Sequence, residues 1–337
     1  MRILLSVPNH LRTVPMGRFV FETMKTMGHT VHVCNFGAQG FPQKVMKGVS
    51  KPLFLDYKDK MLKEAVEGLK PELFLSIFGF DHRADVLRDI RSMGVVTACW
   101  WLNDPFQVSR SLAQAGLYEY YFTNSKGSVP EYNAAGHDNV FYMPVAAYPP
   151  VHSRGASISK IYDVCFAGDH SPLREAMLGE LGRDFDLAIF GPWGKKLGKG
   201  SPLRGKVVKD GFFEPEEMAR IFNQSRVVLN IHTWLGKSNH GTNPRLFEAN
   251  GCGSFQLCDY KTEIPELYEP DKEIVLYNCL DELKEKLSYY LSHDAEREEI
   301  AENGYRRTMM CHTYERRVED ILSICAGSVR GDKAVHY

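Results

Sequence analysis

Short, almost wholly apolar runs alternate with longer amphipathic ones along this chain, and the pattern plays out twice. In the first half "RILLSVP", "HTVHVCNF", "ELFLSIFGF", "VVTACWWL", "YEYYFTNS" and "NVFYMPV" read as strands, with helices over 17–27, 61–69 and 83–93 between the earlier ones. Strands that are apolar on both faces need cover on both faces. A β-α-β rhythm supplies the covering helices, so a parallel sheet satisfies the pattern. The segment "MPVAAYPPVHSRGASISK" (143–160) breaks the rhythm with three prolines and a run of small polar residues, as a linker would. The alternation then restarts with strands at "YDVCFAG", "FDLAIFG", "KVVKDGF", "RVVLNIH", "SFQLCD" and "EIVLYN". Helices are predicted over 172–181, 214–224, 244–250, 280–291 and from 294 onward, with a single turn over 264–267.

At 337 residues the chain suits two domains better than one core. The predicted fold class is α/β: two Rossmann-like, doubly wound domains facing a cleft. Residues 1–147 form the first domain and 148–160 a linker. Residues 161–310 form the second, and 311–337 a closing helix that packs back on the first domain, followed by a frayed tail. In open α/β sheets ligands bind outside the carboxyl ends of the strands, so the strand-end turns are where chemistry is sought.

Composition excludes several classes. A formal net charge of -1 lacks the basic excess of a dedicated nucleic-acid binder. No run reaches the roughly 18 apolar residues of a membrane span, and "MRILLSVPNH" reads as a first strand, not a signal peptide. The eight cysteines are scattered, without the close pairing of a zinc site or a disulfide scaffold, which points to a reduced, cytoplasmic location. After "RILLSVP" there is no G-x-G-x-x-G, and the chain has neither a Walker A motif nor G-x-S-x-G. "DFD" at 184–186 flanks a strand, and no metal site is expected.

Several strand-end turns carry candidate chemistry. In "WWLNDPF" (100–106), Asp104 either closes an Asx-turn or presents a carboxylate to an acceptor, with Trp101 offering a face for sugar stacking. In "PNHLRT" (8–13), His10 is a solvated loop residue or a general base, with Asn9 beside it as an acceptor contact. "CFAGDHSPLRE" (165–175) is a strand, a turn at Gly168 and a helix start capped by Ser171-Pro172, with Arg174 adding charge for an anion. In "KDGFFEPEEM" (209–218), Phe212 either faces the cleft or packs beneath it. The most informative stretch is "NHGTNPRLFEANGCGSFQ" (239–256). Thr242 or Asn243 can cap a helix beginning at Pro244. Glu248 stands among Leu246, Phe247 and Ala249, and Gly251-Cys252-Gly253 lets the next strand pass close. An acid in such a setting usually has a definite polar partner, and a ribose diol is one candidate.

These residues, in their order and spacing, resemble the glycosyltransferases of the GT-B architecture, and within them the CgeB-like group. "WWLNDP", "YFTNSKGSVPEYNAAGHDNVFYMPVA", "DVCFAGDHSPLRE", "GFFEPEEMARIFNQSRVVLNIH" and "TNPRLFEANGCGSFQL" carry the likeness across nearly the whole chain. The resemblance implies an acceptor-binding first domain and a second domain that holds a nucleotide diphosphate-sugar. Related retaining enzymes carry two glutamates eight positions apart. Glu248 matches the second, which binds the donor ribose. His240 stands where the first would be, and Gly241 matches the glycine that follows it. Arg245 matches the arginine of an R-x-F-E pattern and is expected near the diphosphate with Asn243, Thr242 and the turn at Gly168. The implied activity is metal-independent transfer of a sugar to a hydroxyl-bearing acceptor (a glycan, lipid-linked or small molecule), with His10, Asp104 and His240 as candidate catalytic groups. The nucleotide-sugar is a co-substrate and no cofactor is expected. Peripheral membrane contact is compatible with such an acceptor. A sugar-nucleotide epimerase of the same architecture and a non-catalytic nucleotide-sugar or glycan binder are the alternatives.

Overall fold

The computed structural model describes residues 1–8, 15–38, 40–79, 82–155 and 158–327. The chain divides into two units, one of Met1–Pro144 together with the helix that starts at Tyr314, the other Val145–Thr313.

The first unit runs β1 (Arg2–Val7), α1 (Pro15–Thr26), β2 (Thr30–Asn35), α2 (Gly40–Val49), α3 (Lys51–Leu69), β3 (Leu73–Ile77), α4 (Ala84–Ser92), β4 (Val96–Trp101), α5 (Val108–Ala115), β5 (Tyr120–Thr123), α6 (Val129–Ala134) and β6 (Val140–Tyr142). Its strands form a six-stranded sheet in the order β2-β1-β3-β4-β5-β6, with every pairing parallel. β3 is buried at every position and β4 at all but its first, as strands covered on both faces must be. One core combines Leu4, Phe74, Cys99 and Tyr121 from the strands with Leu62 and Val66 of α3 and Val86, Leu87 and Ile90 of α4. α3 begins where Ser50, in an extended conformation, accepts a hydrogen bond from the Leu53 amide at 3.3 Å, and Pro52 follows in the first turn. The sequence pattern reveals only the second half of this helix. The first half and all of α2 carry their apolar residues Phe41, Val45, Val49, Leu53 and Tyr57 at helical spacing but exposed, and the sequence reading assigned no helix there.

The second unit runs β7 (Tyr162–Ala167), α7 (Pro172–Asp184), β8 (Leu187–Gly191), β9 (Val207–Asp210), α8 (Pro215–Asn223), β10 (Ser225–Asn230), α9 (Pro244–Gly251), β11 (Gln256–Asp259), α10 (Ile264–Leu267), β12 (Val275–Tyr277), α11 (Leu280–Ser292) and α12 (Asp294–Cys311). Its parallel sheet has the order β12-β11-β10-β7-β8-β9. From β7 the chain winds outward through β8 and β9, then returns to lay β10 against the other side of β7. The strand order therefore reverses between β7 and β10, and the crevice at the carboxyl ends of such a pair is the ligand-binding position of this class of sheet.

Residues 148–160, read from sequence as a linker, are built into this unit over part of their length. The Ala147 amide donates to His312 O at 2.9 Å, the Tyr148 amide to His152 Nδ1 at 3.0 Å and the Gly155 amide to Asn223 Oδ1 at 2.9 Å. α13 (Tyr314–Cys325) belongs with the first unit. Its Tyr314 ring lies 5.6 Å from that of Phe19 in α1, and Arg317 Nε donates to Pro144 O at 3.0 Å.

Candidate functional site

The β7–β10 crevice is furnished by α9 and by the turns after β7 and β10. Asn243 is the N-cap of α9. Its Oδ1 accepts from the Leu246 amide at 3.2 Å, and Pro244 opens the helix. The cap is itself held by Asn230, the last residue of β10. Asn230 Nδ2 donates to Asn243 Oδ1 at 3.1 Å and Asn243 Nδ2 donates to Asn230 Oδ1 at 2.7 Å. This reciprocal amide pair fixes the start of α9 at the carboxyl end of β10.

Glu248 lies one turn into α9 and is buried, with 7% of its surface exposed, so it is not a surface acid resting on the helix dipole. Its partner is Arg245, whose Nη1 donates to Glu248 Oε2 at 2.8 Å, while the guanidinium lies over the Phe222 ring at 5.1 Å. Burial raises the Glu248 carboxyl above its ordinary value, and the Arg245 charge opposes that shift only in part. The helix ends at Gly251, where a side chain would meet Ala147 Cβ at 2.9 Å and His152 Cβ at 3.1 Å. The close neighbour is therefore the 147–152 segment and not the next strand, as the sequence had suggested.

The loop before α9 is more internally committed than its sequence implied. Gly241 has φ +82°, a conformation that suits glycine, and its amide donates to Glu263 Oε2 at 2.5 Å. Thr242 is fully buried. His240 is half-buried. Its carbonyl accepts from Trp234 Nε1 at 2.9 Å and its amide donates to Ser238 Oγ at 3.3 Å, which leaves the loop shape set by its backbone.

On the other wall, Ser171 caps α7 through the Arg174 amide, and the Gly168 carbonyl accepts from Trp193 Nε1 at 2.8 Å. Arg174 is 8% exposed. Its Nε donates to Ile231 O at 2.9 Å, its Nη1 donates to Asp169 O at 2.9 Å, and the group lies over Phe166 at 5.2 Å. Burial lowers this guanidinium to about 10, with the Arg245 charge a further cause. The buried Arg174 therefore clamps the turn after β7 to the end of β10, and its charge acts from within the wall.

Behind this corner lies a cluster that the sequence reading missed. Asp259, the last residue of β11, accepts from the His232 amide at 2.8 Å, contacts His232 Nδ1 at 2.7 Å and pairs with Lys261 Nζ at 2.8 Å. All three side chains are fully buried. Asp259 is held at about 2: burial works to raise it, and His232 followed by Lys261 more than offset this. Among the described residues, His232, Cys258 and Asp259 also bring nitrogen, sulfur and oxygen within 4.8 Å of one another, a donor set that a thiophilic metal would accept. The Lys261 ammonium, however, already supplies the positive charge on Asp259, which argues against that reading. The local signal was present in "LCDYK", an acid and a base closing an apolar strand.

The first unit corrects the reading of "WWLNDPF". Asp104 is fully buried and its carboxylate receives four donors: Tyr132 OH at 2.5 Å, Thr123 Oγ1 at 2.6 Å, Ser111 Oγ at 2.9 Å and Trp101 Nε1 at 3.0 Å. Burial raises its carboxyl, and these donors offset part of the shift. Trp101 is equally buried, packed edge-on against Phe78 at 6.5 Å, and presents no open face for a sugar. The carboxylate is bonded by side chains in a structural polar nest, which is neither of its two readings: it does not close an Asx-turn on backbone amides and it is not presented to an acceptor. His10 and Asn9 lie outside the described residues. Phe212 is 84% exposed, just beyond edge strand β9 and two strands from β7.

Comparison with known proteins adds to this geometry. Residues 172–323 match the model of a family described as glycosyl transferase-like. Spore protein CgeB of Bacillus subtilis (strain 168) is 25% identical over 273 residues, covering 74% of this chain and 81% of that protein. Sucrose-phosphate synthase from Thermosynechococcus elongatus is similar in structure, with a TM-score of 0.72 at 10% identity over 97% of this chain and 99% of that one. HepE from Anabaena, solved in complex with UDP-glucose, has a TM-score of 0.66 at 14% identity over 97% of this chain and 100% of that one.

Proposed function

We propose that this chain, similar to a glycosyl transferase-like family over residues 172–323 and to glycosyltransferase structures in its two parallel sheets, transfers a sugar from a nucleoside diphosphate-sugar to a hydroxyl-bearing acceptor. The donor lies at the α9 corner of the second unit. The observation that carries this reading is the pairing of buried Glu248 with half-buried Arg245, one turn into a capped helix at the β7–β10 crevice. Glu248 engages Arg245 through Oε2, and a ribose diol can donate to the carboxylate. The amino end of α9, Arg245 and the embedded charge of Arg174 favour the negative charge that collects on the leaving diphosphate. With those cations in place no metal ion is required. His240 is positioned in sequence to meet the donor sugar or its β-phosphate.

In the reaction the bond between the anomeric carbon and the β-phosphate oxygen breaks. A bond from that carbon to the acceptor oxygen forms, and the acceptor's proton leaves. The nested Asp104 has no lone pair to spare for that proton, so His10 is the remaining candidate from the first unit. Water must be kept from the donor, because hydrolysis is the competing reaction.

The test is a thermal-stabilisation screen of UDP-, GDP-, ADP- and dTDP-sugars. One of them should stabilise the protein, by about 2.7 kcal/mol at a hundredfold excess over its Kd. If none does, the donor-site reading fails. With the binding donor identified, release of nucleoside diphosphate should depend on an acceptor. Interconversion of the donor sugar without acceptor would favour the epimerase, and binding without turnover the non-catalytic relative.

A further inference from the structure

One surface of the first unit takes no part in donor chemistry. Helix α2 buries none of its residues. Phe41, Val45 and Val49 recur along it every four residues and are 79%, 45% and 82% exposed. That spacing places them in one stripe. The stripe continues into the start of α3 with Leu53 at 57% and Tyr57 at 37% exposure. α3 is held to the sheet by Phe54, Leu62 and Val66, so Leu53 and Tyr57 are not what anchors it.

The charge beside this stripe has one sign. Residues 40–51 contain Lys44, Lys47 and Lys51 and no acid, in a chain whose net charge is -1. Lys44 and Lys47 are exposed on α2, to one side of the apolar stripe. The first acid after them, Asp56, is paired with Arg83 at 2.8 Å. Beyond it the charge of α3 is mixed, with Asp59, Glu64 and Glu67 balanced by Lys58, Lys60 and Lys63, so the stretch that is basic without acids is α2 and the start of α3.

Exposed aliphatic and aromatic residues flanked by ammonium groups match the two layers of an anionic bilayer surface. Apolar side chains enter the headgroup–acyl boundary and lysines meet the phosphates. A second copy of the chain fits less well. A two-fold contact would bring Lys44, Lys47 and Lys51 against their own symmetry mates. No helix among the described residues is long and apolar enough to cross a membrane, so the contact would be peripheral. We infer that α2 and the first turns of α3 form a docking surface for an anionic lipid bilayer. The inference does not depend on the donor-site reading, since it requires no nucleotide.

The experiment is co-sedimentation of the full chain with vesicles of equimolar phosphatidylcholine and phosphatidylglycerol, and with vesicles of phosphatidylcholine alone. Binding to the anionic vesicles is expected, weakening as salt is raised. Phe41→Asp with Val49→Asp, and separately Lys44→Glu with Lys47→Glu, should each reduce that binding about tenfold or more. All four positions are exposed, so melting temperature and stabilisation by the nucleotide-sugar should stay unchanged in both variants. The inference is overturned if the wild type ignores anionic vesicles or binds both compositions equally. It is also overturned if the variants bind like wild type, or if sedimentation velocity shows a wild-type dimer that the Phe41→Asp, Val49→Asp pair dissolves.

Discussion

Asp104 in the first unit and Glu248 in the second are both buried acids on the carboxyl side of a parallel sheet, yet their surroundings differ in kind. Asp104 is ringed by a phenol, two hydroxyls and an indole, all neutral donors. Glu248 has one charged partner, Arg245, on one oxygen. A carboxylate whose lone pairs are filled by neutral donors stabilises the fold and has little left for a ligand. A carboxylate held by a single guanidinium keeps acceptor capacity, and its partner keeps donors. Burial raises both carboxyls, so a raised value alone does not separate the structural acid from the functional one. The identity and number of the partners does.

The comparison breaks most visibly if Asp104 is removed. Asp104→Ala strands four donors in the core, and a loss of about 4 kcal/mol in urea unfolding is expected. Wild-type stability with turnover abolished would reverse the roles assigned to the two acids.

A third buried acid, Asp259, sharpens the contrast, because it is both ion-paired and hydrogen-bonded. Asp259→Asn should cost about 3 kcal/mol near neutral pH by leaving Lys261 buried without its partner. The sign of the pH dependence follows from its folded value of about 2. That lies below the ordinary unfolded value of about 3.9. The stabilisation is therefore complete above about pH 4 and is lost as pH falls towards 2. Stability measured against pH should show this acid limb in the wild type, and a shallower one in Asp259→Asn.

Glu248→Gln should behave in the opposite way to Asp104→Ala. Burial works against ionisation of Glu248 in the folded state, so an isosteric amide should change stability by less than about 1 kcal/mol. Donor affinity should nevertheless fall about tenfold or more, on the order of 1.4 kcal/mol, in a nucleotide-sugar titration. A Glu248→Gln variant that binds donor like wild type would remove the ribose assignment.

The smallest effect is expected at the cap. Asn243→Ala removes the bond to the Leu246 amide and should cost about 1 kcal/mol, read as a lowered melting temperature. If donor affinity falls as well, the start of α9 is part of the site; if only stability changes, Asn243 serves the helix alone.

Much of the architecture is legible in the sequence. Strands apolar on both faces, separated by helices, imply covered parallel sheets, and the sheets are parallel throughout. Asn243-Pro244 announced the start of α9, and the apolar neighbours of Glu248 announced its burial, because both are local signals. α2 was missed although Phe41, Val45 and Val49 stand at helical spacing, because Gly40, Pro42 and Gly48 in a run of ten residues weaken the helical signal.

Which acid is free and which is consumed was decided by tertiary structure alone. The donors to Asp104 come from positions up to 28 residues away, and His232 reaches Asp259 across 27 residues. Those meetings depend on strand register and on the order in which strands assemble. The sequence by itself determined the elements, the cap and the buried setting of Glu248, since each arises from neighbours along the chain. The return of β10 to the side of β7, and with it the crevice, was determined only by how the elements pack, since hydrophobic burial rewards coverage and leaves strand order to the geometry of the connections.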